Sequence, residues 1–140
     1  YNKLQMYDKF RDGENLYFDL DVVIFDKLPN LIRKNFTLLN DSWWREPSHT
    51  PLNSSIVSWT GDVSYIWNKF KSNEKEYLEK YNKGSDEFYF KEIEYETYGK
   101  VCPSIKDYLY EKPNYSIVTL GQMHHLMEEG WSGWYSKYFI

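Results

Sequence analysis

The run LYFDLDVVIF, Leu16–Phe25, limits what this chain can fold into more than any other stretch. Eight of its ten residues are apolar and rich in β-branched and aromatic side chains, which predicts a strand. The turn-forming RDGE precedes it, and Pro29-Asn30 ends it. Asp19 and Asp21 interrupt the run. On a strand, positions 19 and 21 share one face and Leu20 takes the other. Two carboxylates side by side on an apolar ribbon repel each other and resist burial. Either a divalent ion with oxygen ligands, Mg²⁺ or Mn²⁺, lies between them, or the strand ends there in water.

At 140 residues, with 41% hydrophobic and 20% aromatic side chains, the chain predicts one domain (1–140) with a substantial core rather than a disordered segment. Net charge is −4 and the cations are interleaved with the acids, so no basic stripe supports nucleic-acid binding. The single cysteine, Cys102, excludes an internal disulfide and a cysteine-rich zinc site. No apolar run approaches the roughly 20 residues of a membrane helix. Cytoplasmic residence is the expectation.

Periodicity predicts a short helix over Asn2–Phe10, strands at Phe36–Leu39, Ser55–Trp59 and Tyr115–Leu120, and a further strand in EIEYETYGKV. Val63, Ile66, Trp67 and Phe70 fall at helical spacing behind Gly61-Asp62. Further helices are expected over Asn73–Tyr81 and Asp86–Ile93, and Trp131–Phe139 reads as a helix or a docked coil. Together these elements predict a layered α/β fold.

Two further sites carry possible chemistry. Asn53-Ser54-Ser55, entering a strand, offers small hydrogen-bonding groups that suit either ligand hydroxyls or a backbone turn. Gly84-Ser85-Asp86-Glu87 reads as a helix start with acids in its first turn. The adjacent His124 and His125 point different ways, so at most one joins any metal site.

In their order along the chain, YNKLQMYDKF, NLYFDLDVVIFDKLPNL, LNSSIVSW and GSDEFYF resemble the bacterial and phage glycosyltransferases of the GT-A fold related to family 8. The resemblance spans roughly residues 1 to 90. It implies a partial GT-A-like mixed sheet flanked by helices, the DxD-containing C-terminal part of such an enzyme without its N-terminal nucleotide-binding β-α-β portion. It also implies roles: Asp19 near the ribose and the metal, Asp21 on Mn²⁺ or Mg²⁺, Asn53 and Ser54 in the sugar pocket, and Asp86 with Glu87 as the catalytic pair at the family's G-D-Q position. Trp43, Trp44 or Trp59 would supply a sugar-stacking surface. The implied partners are a nucleotide-sugar donor and a glycan or small-molecule acceptor. The chain departs from the pattern in reading GSDE for G-D-Q and LGQMHHL for H-G-x-P-K-P, where His124 would serve as the shifted metal ligand.

Two rival readings stand beside it. One is an inactive, aromatic-rich sugar-binding domain derived from a transferase. The other is a phosphatase of the haloacid-dehalogenase type, with Asp19 as nucleophile and Asp21 as acid/base. The latter lacks its second acid, because Ile66 stands four residues after Asp62.

Overall fold

The computed structural model describes residues 1–45, 50–121 and 134. It is an α/β structure with a mixed sheet flanked by helices. Four strands, β1 (Glu14–Phe18), β3 (Thr37–Asn40), β4 (Leu52–Thr60) and β5 (Glu96–Thr97), lie in the order β1-β4-β3-β5. β4 runs antiparallel to β1 and β3, and β5 is parallel to β3. A separate ribbon pairs β2 (Val22–Ile24) with β6 (Ile117–Thr119). The helices are α1 (Met6–Lys9, continuing a 3₁₀ turn over Asn2–Gln5), α2 (Tyr65–Ser72), α3 (Glu74–Lys80) and α4 (Ser85–Glu92). Among the described residues no helix is long and apolar enough to cross a membrane.

The expected single strand over Leu16–Phe25 is two strands in two different sheets. β1 stops at Phe18, and Asp19 to Val22 form a tight turn closed by Val22 N–H donating to the Asp19 carbonyl at 3.1 Å. Leu20, at its tip, is fully exposed. The two carboxylates therefore do not share a strand face. The turn moves the chain from the large sheet, where β1 pairs with β4, to the small ribbon, where β2 pairs with β6.

β4 is the central strand and is buried on both faces. Leu38, Val57 and Trp59 point into the main core with Leu4, Tyr7, Ile66, Phe70 and Phe88, while Leu39 and Ile56 face a second cluster with Leu31, Tyr98 and Ile117. Alternate side chains of one strand thus serve opposite layers. Within the main core the Tyr7 and Tyr89 hydroxyls pair at 2.9 Å, so two buried phenols satisfy each other. EIEYETYGKV contributes only Glu96–Thr97 to the sheet; the following Tyr98 donates its N–H to the Leu38 carbonyl at 2.9 Å and its hydroxyl to the Leu31 carbonyl at 2.5 Å. The expected element over Trp131–Phe139 lies outside the described residues, save for Trp134.

Pairing between β3 and β4 changes register, from Leu38↔Val57 to Leu39↔Asn53. Ser54, Ser55 and Ile56 therefore have no partner on β3. Such an irregularity re-aims side chains and frees backbone donors beside sites. Here it opens the end of β4 nearest the Asp19 turn.

Candidate functional site

A cavity of about 450 Å³ lies at that end of the sheet. It is lined by Lys3, the Asp19–Asp21 turn, Trp44 and Arg45, Asn53–Ser55, Gly84–Asp86, and Ser104, Lys106 and Thr119–Gly121. The sequence-predicted Asp19, Asp21, Asn53, Ser54 and Asp86 come from three separate chain segments and converge on this one space.

The Asp19 turn is fastened to the sheet by its own backbone N–H, which donates to the Ser55 carbonyl at 2.8 Å. Lys3 Nζ stands 3.3 Å from both Asp19 carboxylate oxygens and 3.1 Å from the Ser54 carbonyl. The Tyr17 hydroxyl donates to Asp19 Oδ1 at 2.5 Å. Burial first, and the Asp19 carboxylate second, hold the Tyr17 phenol protonated well above its ordinary range. Asp19 is therefore an anchored carboxylate with a cation on one side and a phenol on the other.

Asp21 is different. Its Oδ1 is enclosed and has no hydrogen-bond partner among the described residues. Loss of water around it, and then the nearby Asp19 charge, raise its pKa above the ordinary carboxylate value, with its own backbone N–H, then Lys3 and the Gly121 N–H, partly opposing them. A half-buried acid on a cavity lining, with one carboxylate oxygen lacking a hydrogen-bond partner, is a candidate ligand for a cation. Its own carbonyl accepts from Leu120 N–H at 2.8 Å, which ties the turn to the end of β6.

Asp86 reaches the cavity from the first turn of α4. Its Oδ1 accepts from Ser54 N–H at 3.1 Å and closely from the Ser54 hydroxyl. The register change in β4 supplies that N–H. Gly84, immediately before α4, has φ 123° and ψ −177°, a conformation open essentially to glycine alone. A Cβ placed there would meet no heavy atom within 4 Å, so the conformation itself, not crowding, requires glycine. Gly84→Ala is expected to lose about 1–3 kcal/mol of stability in urea denaturation. It should also displace Asp86 from Ser54.

The remaining predicted residues lie elsewhere or beyond view. Glu87 follows Asp86 on α4 but does not line the cavity. Its charge acts instead on the Tyr1 phenol, which burial first and Glu87 second push up to about 12. Trp59 is 2% exposed, donates from Nε1 to the Phe10 carbonyl at 3.1 Å and packs edge-on against Tyr7. It is a core residue that borders a different groove with Met6, Phe10 and Tyr17. Among the tryptophans named as stacking candidates, Trp44 is the one that lines the cavity, held by its Nε1 donating to the Cys102 carbonyl at 3.2 Å. Trp43 turns to the Asn40 carbonyl and Tyr115. His124 lies outside the described residues. Among those residues, no group of three or more His, Cys, Asp or Glu is arranged to hold a metal.

Lys3, Arg45, Ser104, Lys106 and the Thr119–Gly121 segment line the cavity without a role foreseen from the sequence. Lys3 sat inside the YNKL segment. Arg45 had a usable signal in its four-residue spacing from Asp41. The phosphatase arrangement finds no support in the geometry. Gly61 donates to the Gly13 carbonyl at the far end of the β1–β4 pair, so Asp62 lies a strand's length from Asp19.

No family model, no curated protein and no solved structure matches this chain.

Proposed function

We propose that the cavity is the donor site of a metal-dependent glycosyltransferase of GT-A type, moving a sugar from a nucleotide diphosphate to a hydroxyl acceptor. The observation that carries this reading is the convergence of Asp19, Asp21, Asn53, Ser54 and Asp86 on one cavity. They are five of the residues to which the resemblance assigns roles; Glu87 and Trp59 lie off the cavity.

The donor set fits a hard divalent cation. Mg²⁺ is commonly held by one or two carboxylates plus substrate phosphate oxygens, so a ring of three protein ligands is not required. Asp21 Oδ1 is the carboxylate oxygen without a hydrogen-bond partner, and Asp19 lies nearby with Lys3 on both of its oxygens and Tyr17 on Oδ1. Mg²⁺ or Mn²⁺ bound there would neutralise charge growing on the diphosphate leaving group. The chain's own residues supply placement. Lys3 fixes the Asp19 carboxylate, Asn53 and Ser54 present short polar groups to sugar hydroxyls, and Ser54 orients Asp86 toward the donor sugar.

A second reading has its own support, since Asp19 is already paired with a lysine and a phenol, which suits a sugar-binding domain without turnover. Differential scanning with Mn²⁺ or Mg²⁺ together with UDP or GDP separates the two, alongside nucleotide-sugar hydrolysis followed by chromatography. Transfer predicts a metal-dependent rise in melting temperature of several degrees, about 2.7 kcal/mol at a ligand concentration 100 times Kd. It also predicts donor hydrolysis that EDTA stops. Sugar binding that ignores EDTA, with no hydrolysis, favours the binding domain. No metal-dependent shift with any nucleoside diphosphate removes the transferase reading.

A further inference from the structure

Asp41 is the one aspartate with zero exposure, yet it does not itself line the cavity. It begins a turn in which Trp44 and Arg45 N–H both donate to its carbonyl, at 3.0 and 2.8 Å. The same turn brings Arg45 Nη1 to 3.0 Å from Asp41 Oδ2, an ion pair whose angle falls outside hydrogen-bond geometry. On its other side lies Asn53. The Asn53 Oδ1 accepts from Ser55 N–H at 2.9 Å, and neither Asp41 carboxylate oxygen has a hydrogen-bond partner among the described residues. Burial pushes the Asp41 carboxyl up, and Arg45 and Asn53 oppose that rise. A buried carboxylate of this kind is a stability cost unless its partners give it a purpose. Both partners do line the cavity.

Arg45 also lies over the Trp44 ring, 5.7 Å from its centre, and Lys106 lies 5.9 Å from the same ring. Trp44, Arg45 and Lys106 thus form a cationic wall. Lys3, the third lysine or arginine lining the cavity, is engaged by Asp19 and the Ser54 carbonyl. The other two cations of the lining are Arg45, which Asp41 engages through Nη1 only, and Lys106.

We propose that Asp41 is a positioning residue that holds the Arg45 guanidinium at the cavity wall, and that Arg45, assisted by Lys106, takes phosphate oxygens of the ligand. A guanidinium has five donors in a fixed fork that matches phosphate oxygens two at a time, and Asp41 engages it through Nη1. The identity of the ligand as a diphosphate rests on the transferase reading. The anion-binding role of Arg45 does not.

The test is calorimetric titration with inorganic pyrophosphate in EDTA, using the wild type, Arg45→Lys, Arg45→Gln, Asp41→Asn and the Asp41→Asn/Arg45→Gln double variant, each checked for native near-UV dichroism. Arg45→Gln is expected to weaken pyrophosphate about tenfold or more. Arg45→Lys, which keeps the charge and loses the fork, should weaken it by a smaller factor. Asp41→Asn should weaken it although Arg45 is present, and should add nothing in the Arg45→Gln background, a coupling that a merely structural role would not show. Wild type that fails to bind, or Arg45→Gln that binds as tightly as wild type, overturns the proposal. So does an Asp41→Asn effect that persists undiminished without Arg45. Arg45-dependent pyrophosphate binding without nucleotide-sugar turnover would sink the transferase reading and leave this one standing. Turnover with unchanged KM in Arg45→Gln would do the reverse.

Discussion

Phe88→Ala is expected to remove about 3–5 kcal/mol from the stability of the fold, measured by urea denaturation. Phe88 has no exposed surface and stands at the centre of an aromatic cluster. Its ring meets Tyr77 at 5.1 Å and Phe70 at 5.7 Å edge-on, with Tyr89 at 6.1 Å and Tyr81 at 6.5 Å completing the shell. Truncation leaves a void bounded by four rings that α2, α3 and α4 hold in place, so collapse around it is limited and the cavity cost adds to the lost transfer energy. Against a typical total of about 5–15 kcal/mol this is a large share. The loss should also reach the site, because Asp86 lies two residues earlier on α4 and its bond to Ser54 fixes that helix to β4. Tyr110→Ala is the control: at 92% exposure it should change stability by less than about 0.5 kcal/mol.

The same packing explains what the sequence disclosed and what it hid. Helices α2, α3 and α4 were legible because their buried residues recur at helical spacing, as in Ile66 and Phe70. β4 was legible because Val57 and Trp59 share a face by simple alternation. That alternation also places Trp59 in the core beside Val57, which outweighs any reading of it as a sugar platform. The two acids in Leu16–Phe25 allowed a strand end there, but the second strand in another sheet was not legible, because local β-propensity resumes directly after Asp21. Only the tertiary arrangement, with β1 on β4 and β2 on β6, forces a corner between them. The register change after Leu38 was equally hidden, since it follows from how β3 meets β4 and not from any residue type. The members of the site were legible as a set of motifs. Their mutual bonds, Lys3 to Asp19 and Ser54 to Asp86, join positions 16 and 32 residues apart and have no local signature.

Asp21→Asn should raise the stability of the ligand-free protein at neutral pH while lowering donor turnover by about 100-fold or more. The sign follows from linkage. Burial, and then the Asp19 charge, raise the folded-state pKa of Asp21 above its ordinary 3.8, so between 3.8 and that raised value the folded chain holds more proton at this site than the unfolded chain. Stability contributed by this group therefore falls as pH rises through the window and stays lower above it. Asparagine keeps the shape and removes the charge. The variant should gain on the wild type at neutral pH, and the gain should vanish below about pH 3.8, where both states of the wild type are protonated. Its own backbone N–H, then Lys3 and the Gly121 N–H, offset part of the penalty, and Lys3 is also engaged by Asp19 and the Ser54 carbonyl. Thermal denaturation of both proteins from pH 3 to pH 8, with nucleotide-sugar hydrolysis at the upper end, measures the two effects on the same samples. A variant less stable than wild type at neutral pH would show that an interaction of the charged Asp21 holds the turn in the ligand-free fold. A variant that kept full turnover would take the cation-binding role away from Asp21. More stability with less chemistry is the outcome expected of a carboxylate kept half-buried for a ligand's sake.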